Sequence, residues 1–593
     1  MARGGLSMSR LSLPANLPER LRAWAGSDAI AHGTYGVRVE LASAVVSGDG
    51  RELVLGLRVL VLEPFPGEEP VPTSDGLVLV GSDVRIAVEN KGWVTSQGSR
   101  REYLLRAPVP LDAVSDGVHA IRLRLTAAGQ LMTLQTWPSD GVLRAGRRRV
   151  AAGRWVQVRS GKGGVVLVAQ RAGRALPQAR WVVRQLLADT AFAARPRPLR
   201  QVVIDMAREV GERGVWADRM LRLVTMPTRR GGPIWLVGER TDTAQDNGRA
   251  FFQHVRTQHP DRRAYYVIKQ GATNARNVLP YGNVVWHDSL RHRILALHAD
   301  ALVGSHSIDR YLLPRAWAAK EYRAHLAWRI GSKRVYLKHG VLGVRTMAFE
   351  LSKQGLDIVV ASGKPEADFM RGILGYDRQL KMTGLPRYDL LVPRPPKRVI
   401  VMMPTWRKYI VPPRGTVDAP DTFTGSNYER FYRDVLGDPR LHMALERHDY
   451  TLEFYPHYNI DQYYRDTVWP HPRIRTSSFR DREVKDTLIE CGLFITDFSS
   501  VVFDAAYLGR AVIHAPFDEA DYLWGHYGEG WFDMDTMGFG PVARTVDELV
   551  GHIERYLAAD CVREPEYTAR AQQVFVHTDQ GNSERVVQEI DRL

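Results

Sequence analysis

Two histidines in this chain of 593 residues stand where a proton could be moved. His339 closes the run Arg334-Val335-Tyr336-Leu337-Lys338, and Gly340 follows it. A glycine there lets the backbone turn sharply at a strand end and leaves the imidazole facing outward. Such a histidine can take the proton of a hydroxyl group, because its pKa lies near neutral pH. His457 ends the run Thr451–Tyr455 in the same way, with Pro456 fixing the exit. As a cation or hydrogen-bond donor it could stabilise charge growing on a leaving phosphate. A strand-end histidine standing alone is more often structural, so the neighbouring motifs decide.

One of these is the stretch from Leu493 to Ile513. It opens as an apolar run suited to a strand buried on both faces, and reaches polar residues at Thr496-Asp497. Ser499 and Ser500 offer helix N-caps, apolar positions follow at helical spacing, Gly509 stops the helix, and Ala511-Val512-Ile513 starts another strand. Hydroxyls and free backbone N–H groups at the carboxyl end of a parallel strand suit a phosphate, and an ordinary capped crossover helix is the alternative. Thr405, Trp406 and Arg407 end the preceding strand of this set. The Arg407 guanidinium suits a bidentate phosphate contact, and Trp406 could pack on a base or fill the core. Arg387 and Asp389 lie near an interdomain crossover, where structural salt bridging is an equally good reading.

The elements that must position these residues alternate strand and helix from Ile234 onward. Strands are predicted at 234–237, 264–268, 283–286, 301–304, 334–338 and 358–361. A Pro-rich break, Val392-Pro393-Arg394-Pro395-Pro396, separates them from a second set at 398–403, 451–455, 473–475, 493–496 and 511–514. This predicts two Rossmann-like domains, 232–392 and 393–593, in a GT-B type pair with the chemistry between them. No G-x-G-x-x-G opens either half, which argues against a nicotinamide or flavin cofactor. No D-x-D sits at a suitable strand end, since Asp533-Met534-Asp535 falls in a later loop. Helix dipole and side chains are therefore expected in place of a metal.

The first third differs. After a polar start with a short helix near Glu19–Ala25, the period becomes two, with strands predicted within 37–41, 53–62, 77–80, 84–88, 119–125 and 165–169. Residues 1–172 thus read as an antiparallel, β-sandwich-like accessory domain, either a carbohydrate-binding or interaction module or a spacer. Residues 173–231 read as a helical basic linker: Arg200, Arg208, Arg213, Arg219, Arg222, Arg229 and Arg230 interleave with Val215, Trp216, Met220, Leu221 and Leu223. Such a helix can lie on an anionic membrane surface or pack as a linker with solvated arginines.

Composition bounds these readings. A formal net charge of +15 points to an anionic partner, and no helix-turn-helix, zinc finger or RNA platform accompanies it, which argues against nucleic acid. Two cysteines, Cys491 and Cys561, make no disulfide framework and fit a reducing cytoplasm. No apolar run is long enough to span a bilayer, and no signal-peptide core follows Met1–Arg10. The expectation is a cytoplasmic or peripheral protein.

Thr496-Asp497-Phe498-Ser499-Ser500 with Phe503-Asp504 resembles the signature of the CDP-glycerol glycerophosphotransferase family, the teichoic-acid primases and polymerases. Further matches fall in order: His339-Gly340, Thr383-Gly384-Leu385-Pro386-Arg387-Tyr388-Asp389, Met403-Pro404-Thr405-Trp406-Arg407 and Pro456-His457-Tyr458. The resemblance covers about residues 232 to 593. It implies His339 as general base and His457 at the donor pyrophosphate. Thr405, Arg407, Thr496, Asp497, Ser499 and Ser500 would surround the donor, and Gly340 and Arg387 would lie beside them. The residues after Gly340, Val341-Leu342-Gly343, depart from the Thr-Pro common in the family, which bears on the acceptor side. The implied reaction moves glycerol phosphate or ribitol phosphate from a CDP-alditol to a lipid-linked polyol or saccharide, at the inner face of the membrane. The competing readings are a GT-B glycosyltransferase using a nucleotide sugar and a non-catalytic polymer-binding protein.

Overall fold

The computed structural model describes residues 37–171 and 217–593, each with short internal gaps. The expected helix near Glu19 and most of the expected basic linker, with Arg200, Arg208 and Arg213, lie outside the described residues. The described chain forms two compact units, one holding 37–171 and the other holding 217–350 and 356–593.

The front unit is a network of eleven strands, antiparallel except where Val37–Val46 runs parallel to Gln130–Pro138. Every strand expected from sequence is present. Others, such as Glu89–Gln97 and Arg100–Pro110, are additional. Glu89–Gln97 lies at an end of the strand order and is mostly polar, so it lacks the apolar alternation by which a strand is read. Alternate residues Leu53, Leu55, Leu57 and Val59 are fully or almost fully buried in one core.

The second unit carries two parallel sheets. The first contains β1 (Ile234–Gly238), β2 (Arg263–Ile268), β3 (Val284–Trp286), β4 (Ala301–Gly304), β5 (Lys333–Tyr336), β6 (Ile358–Val360) and β7 (Leu380–Lys381). Their order in the sheet is β3-β2-β1-β4-β5-β6-β7. The second contains β8 (Val399–Met402), β9 (Thr451–Phe454), β10 (Ile474–Thr476), β11 (Leu493–Thr496) and β12 (Ala511–His514), in the order β10-β9-β8-β11-β12. All pairs within both sheets are parallel, and strands such as β1 and β11 are buried along their whole length. Each order reverses once, between β1 and β4 and between β8 and β11. Crevices at such reversals, outside the carboxyl ends of the strands, are where open α/β sheets bind ligands.

Successive residues of the second sheet feed two different cores. Val401, Phe494 and Val512 join a cluster that also contains Val237, Val303 and Val335 of the first sheet. Their neighbours Ile400, Met402, Ile495 and Ile513 point into a separate cluster. The two halves are therefore welded by shared apolar burial.

Three helices hold the strand ends in place: α1 (Asn247–Gln258), α2 (Val501–Tyr507) and α3 (Asn582–Asp591). Helix α3 ends the chain but packs on the first half, with Val586, Val587 and Ile590 in the shared core. Asp389, from the first half, caps it by accepting the backbone N–H groups of Asn582 at 2.9 Å and Ser583 at 2.7 Å. The role of Asp389 is thus to dock the last helix.

The described part of the basic linker differs from expectation. Residues 217–224 are helical, but Arg219 is buried and Arg222 partly so, its guanidinium pushed down to about 10 by burial and by Arg229. Asp218 accepts the Trp317 indole N–H at 2.7 Å and pairs with Arg293, which turns the polar face inward. Met220, Leu223, Val224 and Met226 face solvent.

Gly384 has φ of +76°, and a Cβ there would collide with the Asn582 side chain at the start of α3. Gly384→Ala should therefore combine left-handed strain with overpacking and lower stability by about 2–4 kcal/mol. Thermal unfolding checks this: an unchanged melting temperature would mean that α3 is not seated as described.

Candidate active site at the facing strand ends

The first half builds its side of the site from three strand ends. After β1, Glu239 accepts the backbone N–H groups of Gln245, Asp246 and Arg249, which folds the 239–249 loop around a buried carboxylate. Burial, with the Asp246 charge beside it, raises the Glu239 pKa. The loop presents Asp246 at the N-cap position of α1. Beyond β5, Lys338 takes a left-handed conformation, φ +58°, with its ammonium buried against Glu366. Asn247 steadies the same turn, donating from Nδ2 to the Lys338 carbonyl at 2.9 Å and accepting the Arg387 N–H at 2.8 Å. This bend swings His339 out of the sheet.

His339 Nδ1 lies 2.6 Å from Asp246 Oδ2. Asp246 therefore takes the Nδ1 proton in a hydrogen bond and leaves Nε2 as the basic atom. Burial alone would raise the Asp246 carboxyl, but His339 and Arg387 reverse this and hold it well below the usual carboxylate range. Desolvation works against the His339 imidazolium, and Asp246 outweighs it, so the His339 pKa is raised. The side chain remains 67% exposed, so a hydroxyl can reach Nε2. The ring of His306, just beyond β4, lies 4.5 Å away between centroids. Burial and His339 push its pKa down to about 4, so it is a neutral neighbour at pH 7.

Arg387 joins this group to the second half. Its Nε and Nη2 donate to the two oxygens of Asp504 in α2, at 3.0 and 2.7 Å, and Nη1 reaches Asp246 Oδ1 at 3.1 Å. Burial would lower its pKa, but the two carboxylates more than compensate and keep it charged. Gly340 completes the contact. A Cβ there would stand 2.8 Å from Ser500 Oγ, so any larger residue would force the Ser500 hydroxyl to shift where the His339 loop approaches the Ser499-Ser500 turn. His339, Gly340, Arg387 and Ser500 thus meet in one place.

Of the two expected caps, Ser499 accepts the Val501 N–H at 3.3 Å, while the Ser500 side chain makes no capping bond. Thr496, Asp497 and Arg407, expected at a phosphate, are instead turned into the protein. Thr496 Oγ1 donates to the Met403 carbonyl at 2.6 Å, and Asp497 accepts the N–H groups of Thr405 and Phe498. Arg407 is 1% exposed, forks onto Asp518 at 2.7 and 2.6 Å, and lies 2.8 Å from Asp497 among Tyr428, Phe498 and Tyr522. A charge so desolvated needs carboxylates, and here it holds the two loops that carry Thr405 and Ser499. His457, beyond β9, stacks on Trp406 with centroids 5.7 Å apart. Its Nδ1 accepts the Asn459 N–H at 3.3 Å, which leaves the ring proton on Nε2 as a donor.

Sequence reasoning missed Asp246 and His306 and gave Asp504 no role. Asp246 had a signal, an Asp directly before an amphipathic helix after the first strand of a doubly wound sheet. His306 had the same strand-end setting that singled out His339.

Residues 220–592 match the family model described as CDP-glycerol:poly(glycerophosphate) glycerophosphotransferase. The chain is 28% identical over 372 residues to the minor teichoic acid biosynthesis protein GgaB of Bacillus subtilis (strain 168), covering 61% of this chain and 40% of that protein. It is 27% identical over 248 residues to the teichoic acid poly(ribitol-phosphate) polymerase of Bacillus spizizenii, covering 40% of this chain and 34% of that one. The teichoic acid poly(glycerol phosphate) polymerase of Bacillus subtilis (strain 168) is 26% identical over 220 residues, covering 36% and 25%. The chain therefore matches well under half the length of each of these relatives.

Asp504→Ala should leave the Arg387 charge short of its bidentate partner and cost about 3–5 kcal/mol of stability. Arg387→Met with Asp504→Leu removes that pair but leaves Asp246 without its arginine, so it should recover only part of that loss. Denaturant titrations of the parent and both variants check this, and equal stability of the single variant would contradict the bridge.

Proposed function

The chain belongs to the CDP-glycerol:poly(glycerophosphate) glycerophosphotransferase family, and from that premise we propose that it transfers an alditol phosphate from a CDP-alditol to an acceptor hydroxyl in the synthesis of a teichoic-acid-like polymer. The observation that carries the reading is the Asp246–His339 pair, its imidazole largely exposed, with the adjoining Gly340 against Ser500. The acceptor hydroxyl gives its proton to His339 Nε2 as its oxygen attacks the β-phosphorus of the donor. The new P–O bond forms as the bond to the bridging oxygen breaks, and CMP leaves with that electron pair. The first half holds the acceptor and the second half the donor, in a GT-B type arrangement. Ser499, Ser500 and Thr405 face the donor phosphates, and His457 Nε2–H supplies a hydrogen bond to the departing CMP. Thr496, Asp497, Arg407 and Arg387 shape the loops.

The alditol is glycerol or ribitol, and relatives named for each polymer match this chain. Purified protein incubated with membranes and either CDP-glycerol or CDP-ribitol should release CMP with one of them. No CMP from either donor would overturn the proposal. His339→Ala should lower turnover on the order of a hundredfold or more while leaving the fold intact. Because His339 must be neutral to act, kcat/KM should rise with pH through its raised pKa. Asp246→Asn removes the charge that raises it, so the acid limb should move to lower pH as kcat falls. An unmoved limb would assign it to another group.

The lipid-linked acceptor is met at the anionic inner face of the cell membrane. No helix among the described residues is long and apolar enough to cross a membrane. The exposed Met220, Leu223, Val224 and Met226, next to the exposed Arg229 and Arg230, support a peripheral contact. Leu223→Ser with Val224→Ser and Arg230→Glu should weaken sedimentation with anionic vesicles, without loss of activity on a soluble acceptor. Sedimentation equal to the parent's would remove this surface from the proposal.

A further inference from the structure

Three groups of histidines and carboxylates bring ligand atoms within 4.8 Å of one another among the described residues. Asp246, His306 and His339 form the site already described. In His287, Asp288 and His292, both nitrogens of His292 are already engaged: Nδ1 accepts the Asp288 N–H at 3.1 Å and Nε2 lies 3.1 Å from the Leu312 carbonyl. The third group is His254, His259 and Glu584, none of which stands at a strand end. Nε2 of His254 stands 2.9 Å from Glu584 Oε2, and Nε2 of His259 stands 2.7 Å from the same oxygen.

We propose that His254, His259 and Glu584 form a binding site for a zinc-class divalent ion that staples the last helix of the chain to the first half. The donor set fits: two imidazole nitrogens and one carboxylate oxygen suit zinc and its neighbours, whereas magnesium and calcium require mostly oxygen. Zinc binds such atoms at about 2.0–2.2 Å in tetrahedral geometry, which places the ligand atoms about 3.3 Å apart. The two nitrogens already converge on one carboxylate oxygen, so loading requires the Glu584 oxygen to retreat and the ion to settle among the three ligand atoms. A glutamate side chain 37% exposed can do so. The histidine side chains are 21% and 28% exposed, which leaves an approach for the ion and for a water in the fourth position.

The ligands come from separate parts of the chain. His254 lies in α1, His259 caps its carboxyl end, and Glu584 lies in the first turn of α3. Helix α1 is the helix that begins after Asp246, so the ion would fasten its far end, about 18 Å from the active-site carboxylate. The role proposed for it is structural, since it lies away from the reacting groups and joins two helices.

The test uses the full chain without a histidine tag, stripped by a chelator and titrated with zinc chloride. Calorimetry should show a zinc site, zinc should raise the melting temperature, and magnesium should do neither. His254→Asn with His259→Asn should weaken zinc binding by at least ~100-fold, since changes outside the ligand shell alone cost ~10–100-fold. His339→Asn, which alters the other histidine group, should retain both the affinity and the thermal shift. Cobalt(II) should give the visible bands of a tetrahedral ion in the parent and lose them in the double variant. If the double variant does not fold, Glu584→Gln decides, because the amide keeps a hydrogen-bond acceptor for the histidines but removes the anionic ligand. Zinc affinity and thermal shift unchanged in the variant that folds, or lost instead in His339→Asn, would overturn the proposal.

Discussion

The site depends on one cation. Arg387 reaches back to Asp246 in the first half and forward to Asp504 in the second, so a single guanidinium sets the distance between the His339 partner and the start of α2. Its planar fork makes this possible, since an ammonium could not face two carboxylates with fixed directions. His339 and, after it, this bridge keep Asp246 ionised, and an ionised Asp246 fixes which nitrogen of His339 carries the proton. Charge state, tautomer and spacing are set within one connected group.

A second buried guanidinium does comparable work within the second half. Arg407 gathers Asp497 and Asp518 and, through the loop that Asp497 organises, the backbone of Thr405. The loops at the β8 and β11 strand ends are thus built around charge pairs, while the sheets beneath them are apolar. Apolar packing alone would leave loops of this polarity without a fixed shape.

Much of this was legible in the sequence for a definite reason. Parallel strands buried on both faces are apolar throughout, so runs such as Leu493–Thr496 announce themselves, and the residue after each run lies at the ligand-bearing edge. That rule placed His339, Gly340, Ser499, Ser500 and His457 correctly at strand ends. It could not supply partners. Asp246 lies 93 residues from His339, Asp518 lies 111 from Arg407, and Asn582 lies 193 from Asp389. An arginine bound for a phosphate and one bound for a distant carboxylate look alike in one dimension, which is why Arg407 was misplaced. The polar strand Glu89–Gln97 was missed on similar grounds, since its pairing with Arg100–Pro110 and not its own pattern makes it a strand.

The return of α3 to the first half has a mechanical side. The chain passes between the halves twice, once through 382–398 and again through 575–581, where Gln580 takes φ +59°. Two bodies tethered at two separate points and sharing one apolar core resist shear as well as rotation. The close approach of Gly340 to Ser500 is then held by the two crossings together with the shared core. A chain that crossed only once would leave that spacing to side-chain packing alone. The packing of α3 on the first half adds a second backbone anchor to the geometry around His339.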